Sequence, residues 1–312
     1  MRKIFCGLVL AFFCSSIAVA QPRRTAGQTV STRSITIITE PKAKVWIDDV
    51  LRGSTDENGR LEIKTAPPGV RRLRVRADGF KETTQTLSAA QKGEIKIALA
   101  KTTDEAELAF QQAENAASSD REKSAELYRK AIRLRPKYAE AYVGLARVLS
   151  DAGDNEGALK AVAEARKIRP IFPEISAVEG RIYRSEGDDE KAIASFRRAI
   201  REGRGYQPEA HTGLGLLYKE RAEAFAAEGD MEQEKANYDL AVKELRTAIT
   251  QLSGAPDAEI IYQLLGVAYE KQRKYREAIK VYEEFLRFFP DSSEATAVRS
   301  FIVQAQKQMN EQ

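Results

Sequence analysis

The sequence predicts a multidomain protein in which a small all-β domain precedes an all-α array of helical repeats. Two observations lead to this prediction. Between Ile35 and Leu99, short runs of alternating apolar residues are separated by turn residues, which is the pattern of half-buried strands. From Glu105 onward the apolar period becomes helical, alanine becomes frequent, and similar segments recur along the chain.

The first twenty residues form a separate segment ahead of this fold. Arg2 and Lys3 precede an uncharged, largely apolar run that ends in an Ala-x-Ala pattern at 18–20, as in a secretory signal peptide. This run is shorter than the roughly 20 apolar residues that span a membrane. We therefore expect cleavage of residues 1–20 and an exported chain, periplasmic or extracellular, that starts at Gln21 and has no integral membrane span.

Composition argues against catalytic and metal sites in the mature chain. Both cysteines, Cys6 and Cys14, lie in the signal, so no disulfide and no thiolate ligand is expected after cleavage. The single histidine, His211, has no neighbour with the spacing of a catalytic or ligand partner, and is interpreted as a partly packed structural residue. We expect no enzyme activity, no cofactor and no metal. Residues 21–33 lack periodicity and are predicted to form a flexible leader.

The β domain is predicted to occupy residues 34–100. Asn58-Gly59 supplies the positive φ angles of a tight hairpin, and further turn residues separate the neighbouring strands. The segments EPKAKVWIDD, APPGVRRLRVRADGF and IKIAL resemble a PEGA domain. The resemblance depends on Pro41, Ala43, Asp48, Gly69 and Gly79-Phe80, although Asp49 stands where the family often has glycine. It implies a small β sandwich.

The helical region repeats a pattern of small and aromatic residues. A small residue of each second helix is followed four positions later by an apolar residue, and the first helices of later units carry their own small residue. The second-helix positions are Ser124, Ala158, Ala192, Ala241 and Ala278, and those of the first helices are Ala146, Gly180, Gly215 and Gly266. Small residues let paired helices approach closely, while aromatic residues fill the gaps between units.

This pattern resembles about five tetratricopeptide repeats, covering residues 105–291. Asp291-Ser292-Ser293-Glu294 has the spacing of a capping box and precedes an apolar stripe, so residues 292–312 are predicted to form a helix that caps the array. The resemblance implies a tetratricopeptide solenoid with a concave groove for a protein or peptide partner, and no nucleic acid.

The fourth repeat, about 208–253, is longer than the others. Gly215 precedes Gly229 by 14 residues and Gly229 precedes Ala241 by 12, against 7 and 5 in the second and third repeats. Seven extra residues make almost two helical turns, so each arm keeps its apolar face in phase and lengthens by roughly 10 Å. The resulting hairpin is interpreted either as a partner or dimer contact, or as a tolerated insertion.

Two groups of basic residues are candidate contact sites. The repeat register places four cations in the groove, and Phe225 lies on the extended hairpin; together the candidate partner-binding residues are Arg147, Arg181, Arg184, Lys219 and Phe225. Guanidinium groups suit an acidic or C-terminal carboxylate peptide. The alternative is that Glu140, Glu174 and Glu209 neutralise the stripe.

The second group lies in the β domain, where Arg72, Arg74 and Arg76 alternate with Leu73 and Val75. The arginines are interpreted either as a contact for an anionic envelope component or as a solvated outer face.

These observations favour a non-enzymatic scaffold or adaptor of the bacterial cell envelope that holds a protein partner in its groove. Two alternatives stay open: a structural module whose β domain binds a glycan or the cell surface, and an envelope-assembly chaperone that uses the same groove transiently.

Overall fold

A computed structural model describes residues 33–311, which form seven strands and eleven helices. The predicted signal peptide and the predicted leader lie outside this range except for Arg33, the first residue of strand β1. Arg33 is buried and donates hydrogen bonds to the carbonyl oxygens of Gly69 and Gln91. It therefore belongs to the β domain. None of the helices in the described range is both long and apolar enough to cross a membrane.

The β domain is built from two sheets packed around one apolar core. The strands are β1 Arg33–Ile38, β2 Lys44–Ile47, β3 Val50–Ser54, β4 Arg60–Ala66, β5 Arg71–Arg76, β6 Thr83–Leu87 and β7 Gly93–Lys96. One sheet has the order β4-β1-β7, with β1 and β7 parallel, and the other has the order β3-β2-β5-β6. Ile35, Ile37, Leu73 and Val75 are fully buried between them. Alternation predicted these positions but not strands β3 and β6.

The tight hairpin of this domain is not where the sequence predicts it. Asn58-Gly59 joins β3 to β4, which lie in different sheets, and so it does not close a hairpin. The two-residue turn is Asp48-Asp49, between the antiparallel strands β2 and β3, and both aspartates have positive φ angles. Aspartate tolerates this left-handed conformation better than most residues do, which is why glycine is not required there.

The helical region consists of five antiparallel pairs and a final helix. The helices are α1 Glu105–Ala116, α2 Arg121–Leu134, α3 Ala139–Asp151, α4 Asn155–Ile168, α5 Pro173–Ser185, α6 Asp189–Glu202, α7 Pro208–Glu228, α8 Met231–Leu252, α9 Ala258–Lys271, α10 Tyr275–Phe288 and α11 Ala295–Asn310. Helices α7 and α8 have 21 and 22 residues, whereas the other paired helices have 12 to 14. This is the length difference that the seven-residue additions predict.

The sequence pattern of the extended hairpin predicts that Ala222, Phe225 and Ala226 of one arm face Ala236, Tyr238 and Leu240 of the other, but only part of this stripe is buried. Ala222 of α7 and Tyr238 of α8 are buried, but Ala236 and Leu240 are exposed. The buried neighbour of Tyr238 is Asn237, whose side chain donates to the carbonyl oxygen of Gln233 within the same helix. Because the Asn237 amide is hydrogen-bonded to the backbone of its own helix, the side chain can be buried at low cost.

Helix α11 lies against α10 and buries Val298 and Ala305, two members of the predicted stripe. The predicted capping box does not form, because the helix begins after Glu294, whose side chain makes no capping hydrogen bond. Instead, the Ser292 hydroxyl accepts from the Glu294 backbone N–H at 3.0 Å. This hydrogen bond takes the place of the capping box at the start of α11.

Candidate functional site

A cavity of about 1200 Å³ lies between the β domain and the odd-numbered helices of the array. Helices α3, α5 and α7 form one wall, and strands β2, β3 and β5 form the other. Many of the lining residues are charged, and they include Asp48, Asp49, Arg72, Arg74, Arg76, Glu82, Arg147, Glu174, Arg181, Arg184, Glu209 and Asp257. We call this cavity the chamber. It forms because the β domain touches the array at two separate places.

The first contact, here called the N-terminal joint, centres on Arg76 of β5 and Gln111 of α1. Arg76 is only 6% exposed, lies over the rings of Trp46 and Phe110, and forms ion pairs with Glu82 and Glu114. The Gln111 side chain accepts from the Gly79 backbone N–H at 2.9 Å and donates to the Phe80 carbonyl oxygen at 2.8 Å. The buried charge of Arg76 has carboxylate partners and the buried amide of Gln111 is hydrogen-bonded at both ends, which makes this contact specific.

The second contact, here called the C-terminal joint, connects strands β3 and β4 with residues 252–254 at the end of α8. Arg52 donates to the carbonyl oxygens of Leu252 and Ser253. The hydroxyl of Thr65 donates to the Ser253 carbonyl oxygen at 2.8 Å, and the Ser253 hydroxyl donates to the Thr65 carbonyl oxygen at 3.3 Å. Because the last carbonyl groups of a helix lack intrahelical partners, the cationic Arg52 completes the end of α8.

The groove wall carries a guanidinium shared by two carboxylates. Arg147 of α3 makes a two-bond pair with Glu209 of α7 at 2.8 and 2.6 Å, and a longer bond of 3.3 Å to Glu174 of α5. These ion pairs connect the second, third and fourth repeats along the helical wall of the chamber. It is the neutralisation by Glu174 and Glu209 that the sequence offers as an alternative, whereas Glu140 pairs with Arg169 instead.

The pKa values of the two carboxylates at Arg147 are shifted in opposite directions. Burial would raise the pKa of Glu209, but the charge and hydrogen bonds of Arg147 outweigh it and hold that pKa below its ordinary value. Burial raises the pKa of Glu174, because its single longer bond to Arg147 compensates less well. Both side chains keep some exposure to the chamber, which moderates the size of either effect.

This difference predicts opposite responses of two chemically identical substitutions. At neutral pH, Glu209→Gln should lower the thermal midpoint, because a carboxylate with a depressed pKa stabilises the fold above its unfolded pKa. Glu174→Gln should leave the midpoint unchanged or raise it, because a raised pKa means that ionisation opposes folding. The difference in thermal midpoint between the variants should narrow as the pH falls to about 4, where unfolded glutamate titrates, and should close only below that, at the depressed pKa of Glu209. Thermal denaturation across this pH range checks the prediction, and equal losses for both variants would contradict it.

Three of the candidate partner-binding residues, Arg147, Arg181 and Arg184, line the chamber. Arg181 lies 3.6 Å from Asp151, and Arg184 pairs with Glu220 at 2.7 Å. Nη2 is the Arg181 nitrogen nearest Asp151, and neither it nor the adjacent Nε, both of which are buried, makes a hydrogen bond within residues 33–311. Adjacent N–H groups of this kind match the two oxygens of a carboxylate. Arg181 is therefore the least satisfied cation of the groove wall.

The structure does not bring the other two candidates to the chamber. Lys219 pairs with Glu223 one turn along α7, and Phe225 is half-buried on the extended hairpin. Neither residue belongs to the chamber lining. Lys219 lies on nearly the same face of α7 as Thr212 but about 10 Å farther along the helix, beyond Leu216, the last α7 residue of the lining.

The β-domain arginines do not form the solvated outer face considered from the sequence. Arg72, Arg74 and Arg76 line the chamber, and they become progressively less exposed along β5. Arg72 and Arg74 pair with Asp49, and Arg74 also lies over the Trp46 ring at 4.3 Å. Arg76 is buried in the N-terminal joint, so it is not a surface contact for an envelope anion.

Sequence reasoning missed the residues that join the two domains, above all Trp46 and Arg52. One signal was present: Val45 and Ile47 point into the β core, so alternation places Trp46 on the outer face. A large aromatic side chain on an outer face indicates a contact surface. His211 is buried as expected, and its Nδ1 lies 2.6 Å from a Glu244 carboxylate oxygen, a partner that the sequence did not indicate.

Comparison with known proteins identifies the type of helical repeat. Residues 110–182, 180–206 and 260–292 match family models described as tetratricopeptide repeat. No curated protein is significantly similar to the chain.

Solved structures of repeat proteins show the same fold at low identity. Yeast Tom70 is 17% identical with a TM-score of 0.53, over 67% of this chain and 41% of that chain. The APC/C hetero-tetramer Cut9-Hcn1 is 17% identical with a TM-score of 0.51, over 66% of this chain and 37% of that chain. TTC0263, a thermophilic TPR protein in Thermus thermophilus, is 19% identical with a TM-score of 0.47, over 64% of this chain and 98% of that chain. The family models and the two structures with TM-scores above 0.5 identify the helical region as a tetratricopeptide solenoid, and this chain spans less than half of each of those two proteins.

Proposed function

We propose that this chain, which contains tetratricopeptide repeats, is an exported, non-enzymatic adaptor of the bacterial cell envelope that holds a segment of a partner protein in the chamber. The observation that carries the proposal is the size of the chamber. Its volume of about 1200 Å³ exceeds the roughly 300–1,000 Å³ of most small-molecule sites. A polypeptide segment of several residues fits this space better than a cofactor does.

The chemistry of the walls also favours a polypeptide. Exposed Ile171 and Ile260 are apolar side chains that line the chamber among charged residues. A segment that combines apolar side chains with a carboxylate would cover them and would offer oxygen acceptors to Arg181. Tetratricopeptide proteins act generally as scaffolds for protein–protein interaction, which agrees with this use of the groove.

The envelope location is supported by two features of the sequence. The first is the signal-like segment at residues 1–20, and the second is the likeness of residues 34–100 to a PEGA domain. In this proposal the β domain serves as the second wall of the binding site, and it is not an independent receptor for glycans.

Charge reversal on the groove wall tests the proposal. Arg181→Glu with Arg184→Glu should weaken partner binding by about tenfold or more and reduce its salt dependence, because both charges face the chamber. The matched control is Lys160→Glu with Lys167→Glu, two exposed cations on α4 outside the chamber lining. Partners captured from envelope extracts by crosslinking to the intact chain should be lost only with the groove variant, while helicity stays the same.

Equal recovery of the captured partners by the groove variant and the control would refute the groove as their binding site. Recovery by the isolated β domain and by the chain with the reversed groove, with none by the array alone, would favour the alternative of surface recognition.

A further inference from the structure

The two joints make the β domain a bridge between distant parts of the solenoid. The N-terminal joint holds α1, and the C-terminal joint holds the end of α8, so the first and fourth repeats are connected through the β domain. In a solenoid, each repeat packs mainly on its neighbours, and its curvature is the sum of small rotations between repeats. A bridge that spans several repeats therefore fixes the curvature of the array and the width of the chamber.

The N-terminal joint has the features of a permanent contact. Arg76 combines two ring contacts with two carboxylate partners, and Gln111, which is 3% exposed, has both ends of its amide bonded. Glu107 of α1 also accepts from the Glu82 backbone N–H at 3.1 Å. Opening this joint would also expose the buried rings of Trp46 and Phe110 to water and remove their contacts with Arg76, which is costly.

The C-terminal joint is mostly polar. Of the buried core of the β domain, only Val50 belongs to the apolar cluster that includes Leu252 and Ala255. Arg52 is buried there, and its bonds go to carbonyl oxygens. Burial lowers the pKa of Arg52, which shows that the charged form is poorly solvated in this position. Water can replace the carbonyl bonds on opening, so the net cost of separation is low.

We propose that the C-terminal joint is a releasable closure of the chamber. When Arg52 and Thr65 leave residues 252–254, the β domain stays on the first helical pair, the array straightens, and the chamber widens to admit a partner segment. Only the last step depends on the proposed function. The opening itself is a property of this chain and is measurable without a partner.

Distance measurement between spin labels tests the opening. Lys130→Cys on α2 and Lys280→Cys on α10 place labels on exposed positions at opposite ends of the array, in a chain that has no other cysteine after residue 20. In this background, Arg52→Ala with Thr65→Ala should broaden the distance distribution and lengthen its mean. The control, Arg60→Ala with Thr86→Ala, removes exposed β-domain side chains outside both joints and should leave the distribution unchanged.

The only tryptophan reports on the other joint in the same samples. Trp46 is buried against Arg74 and Arg76, so its emission should stay unchanged when the C-terminal joint opens. A distribution identical to that of the control would overturn the proposal. A red shift of Trp46 emission would also overturn it, because the whole β domain would then have left the array.

A disulfide variant keeps the proposal testable if the alanine variant folds poorly. Thr65→Cys with Ser253→Cys places thiols where the two side chains already bond each other's backbone. Small-angle scattering should give a smaller radius of gyration for the oxidised form than for the reduced form. Equal radii in both forms would contradict a releasable closure. Because neither measurement uses a partner, failure here leaves the groove proposal to be judged by the charge-reversal experiment alone.

Discussion

Replacing Phe196 with alanine is expected to destabilise the array by about 3–5 kcal/mol, the upper range for a large buried side chain. Phe196 of α6 is 1% exposed and fills the gap between α5 and α7. A Cβ atom built on Gly180 would lie 2.6 Å from its ring, and one built on Gly213 would lie 2.3 Å away. Because glycine has no side chain to move into the space, the cavity left by alanine cannot collapse easily. Urea unfolding followed by circular dichroism measures the loss.

A double-mutant cycle makes this prediction specific. Gly213→Ala alone should destabilise the array because its new methyl group meets the ring of Phe196. In the Phe196→Ala background the same substitution should be neutral or stabilising, since the ring is gone and alanine favours the helix by about 1 kcal/mol. Phe225→Ala, on the half-exposed part of the extended hairpin, is the control and should cost far less. Additive effects in the cycle would show that the ring and the glycine do not touch.

Arg76→Ala should have the second large effect, a loss of about 3–5 kcal/mol, which is typical when one partner of a buried ion pair is removed. The substitution leaves Glu114 of α1 with only the more distant β-domain cation Lys44, 3.9 Å away, and removes the guanidinium that lies over the Trp46 and Phe110 rings. Trp46 emission should shift to the red as water enters the N-terminal joint. Chemical denaturation and tryptophan fluorescence measure the two consequences independently.

Arg72→Ala is the matched control, since it removes an arginine from the same strand. The Arg72 and Asp49 side chains are 54% and 56% exposed, so their ion pair should contribute at most about 1 kcal/mol. Similar losses for the two variants, or an unchanged Trp46 emission in Arg76→Ala, would show that Arg76 does not hold the joint.

Most of the strands, the helices and most of their buried positions are predictable from the sequence alone. Alternation around Leu73 and Val75 and the helical spacing of Gly180, Gly215 and Gly266 report local geometry, because side-chain direction depends on position along a strand or helix. The extra length of α7 and α8 was likewise countable, since two added turns preserve the phase of an apolar face. Strand β3 was missed because Asp48-Asp49 carries no glycine to mark the hairpin that begins it.

The contacts of the charged residues, by contrast, depend on how the two domains pack together. Arg72, Arg74 and Arg76 share one strand and one face, yet one is exposed and another is buried, because the array covers only part of that face. Arg147 meets Glu209 across 62 residues, and Arg52 meets the end of α8 across 200. Such pairs have no local signature: long charged side chains fit many partners, and the solenoid's curvature and the docking of the β domain select among them.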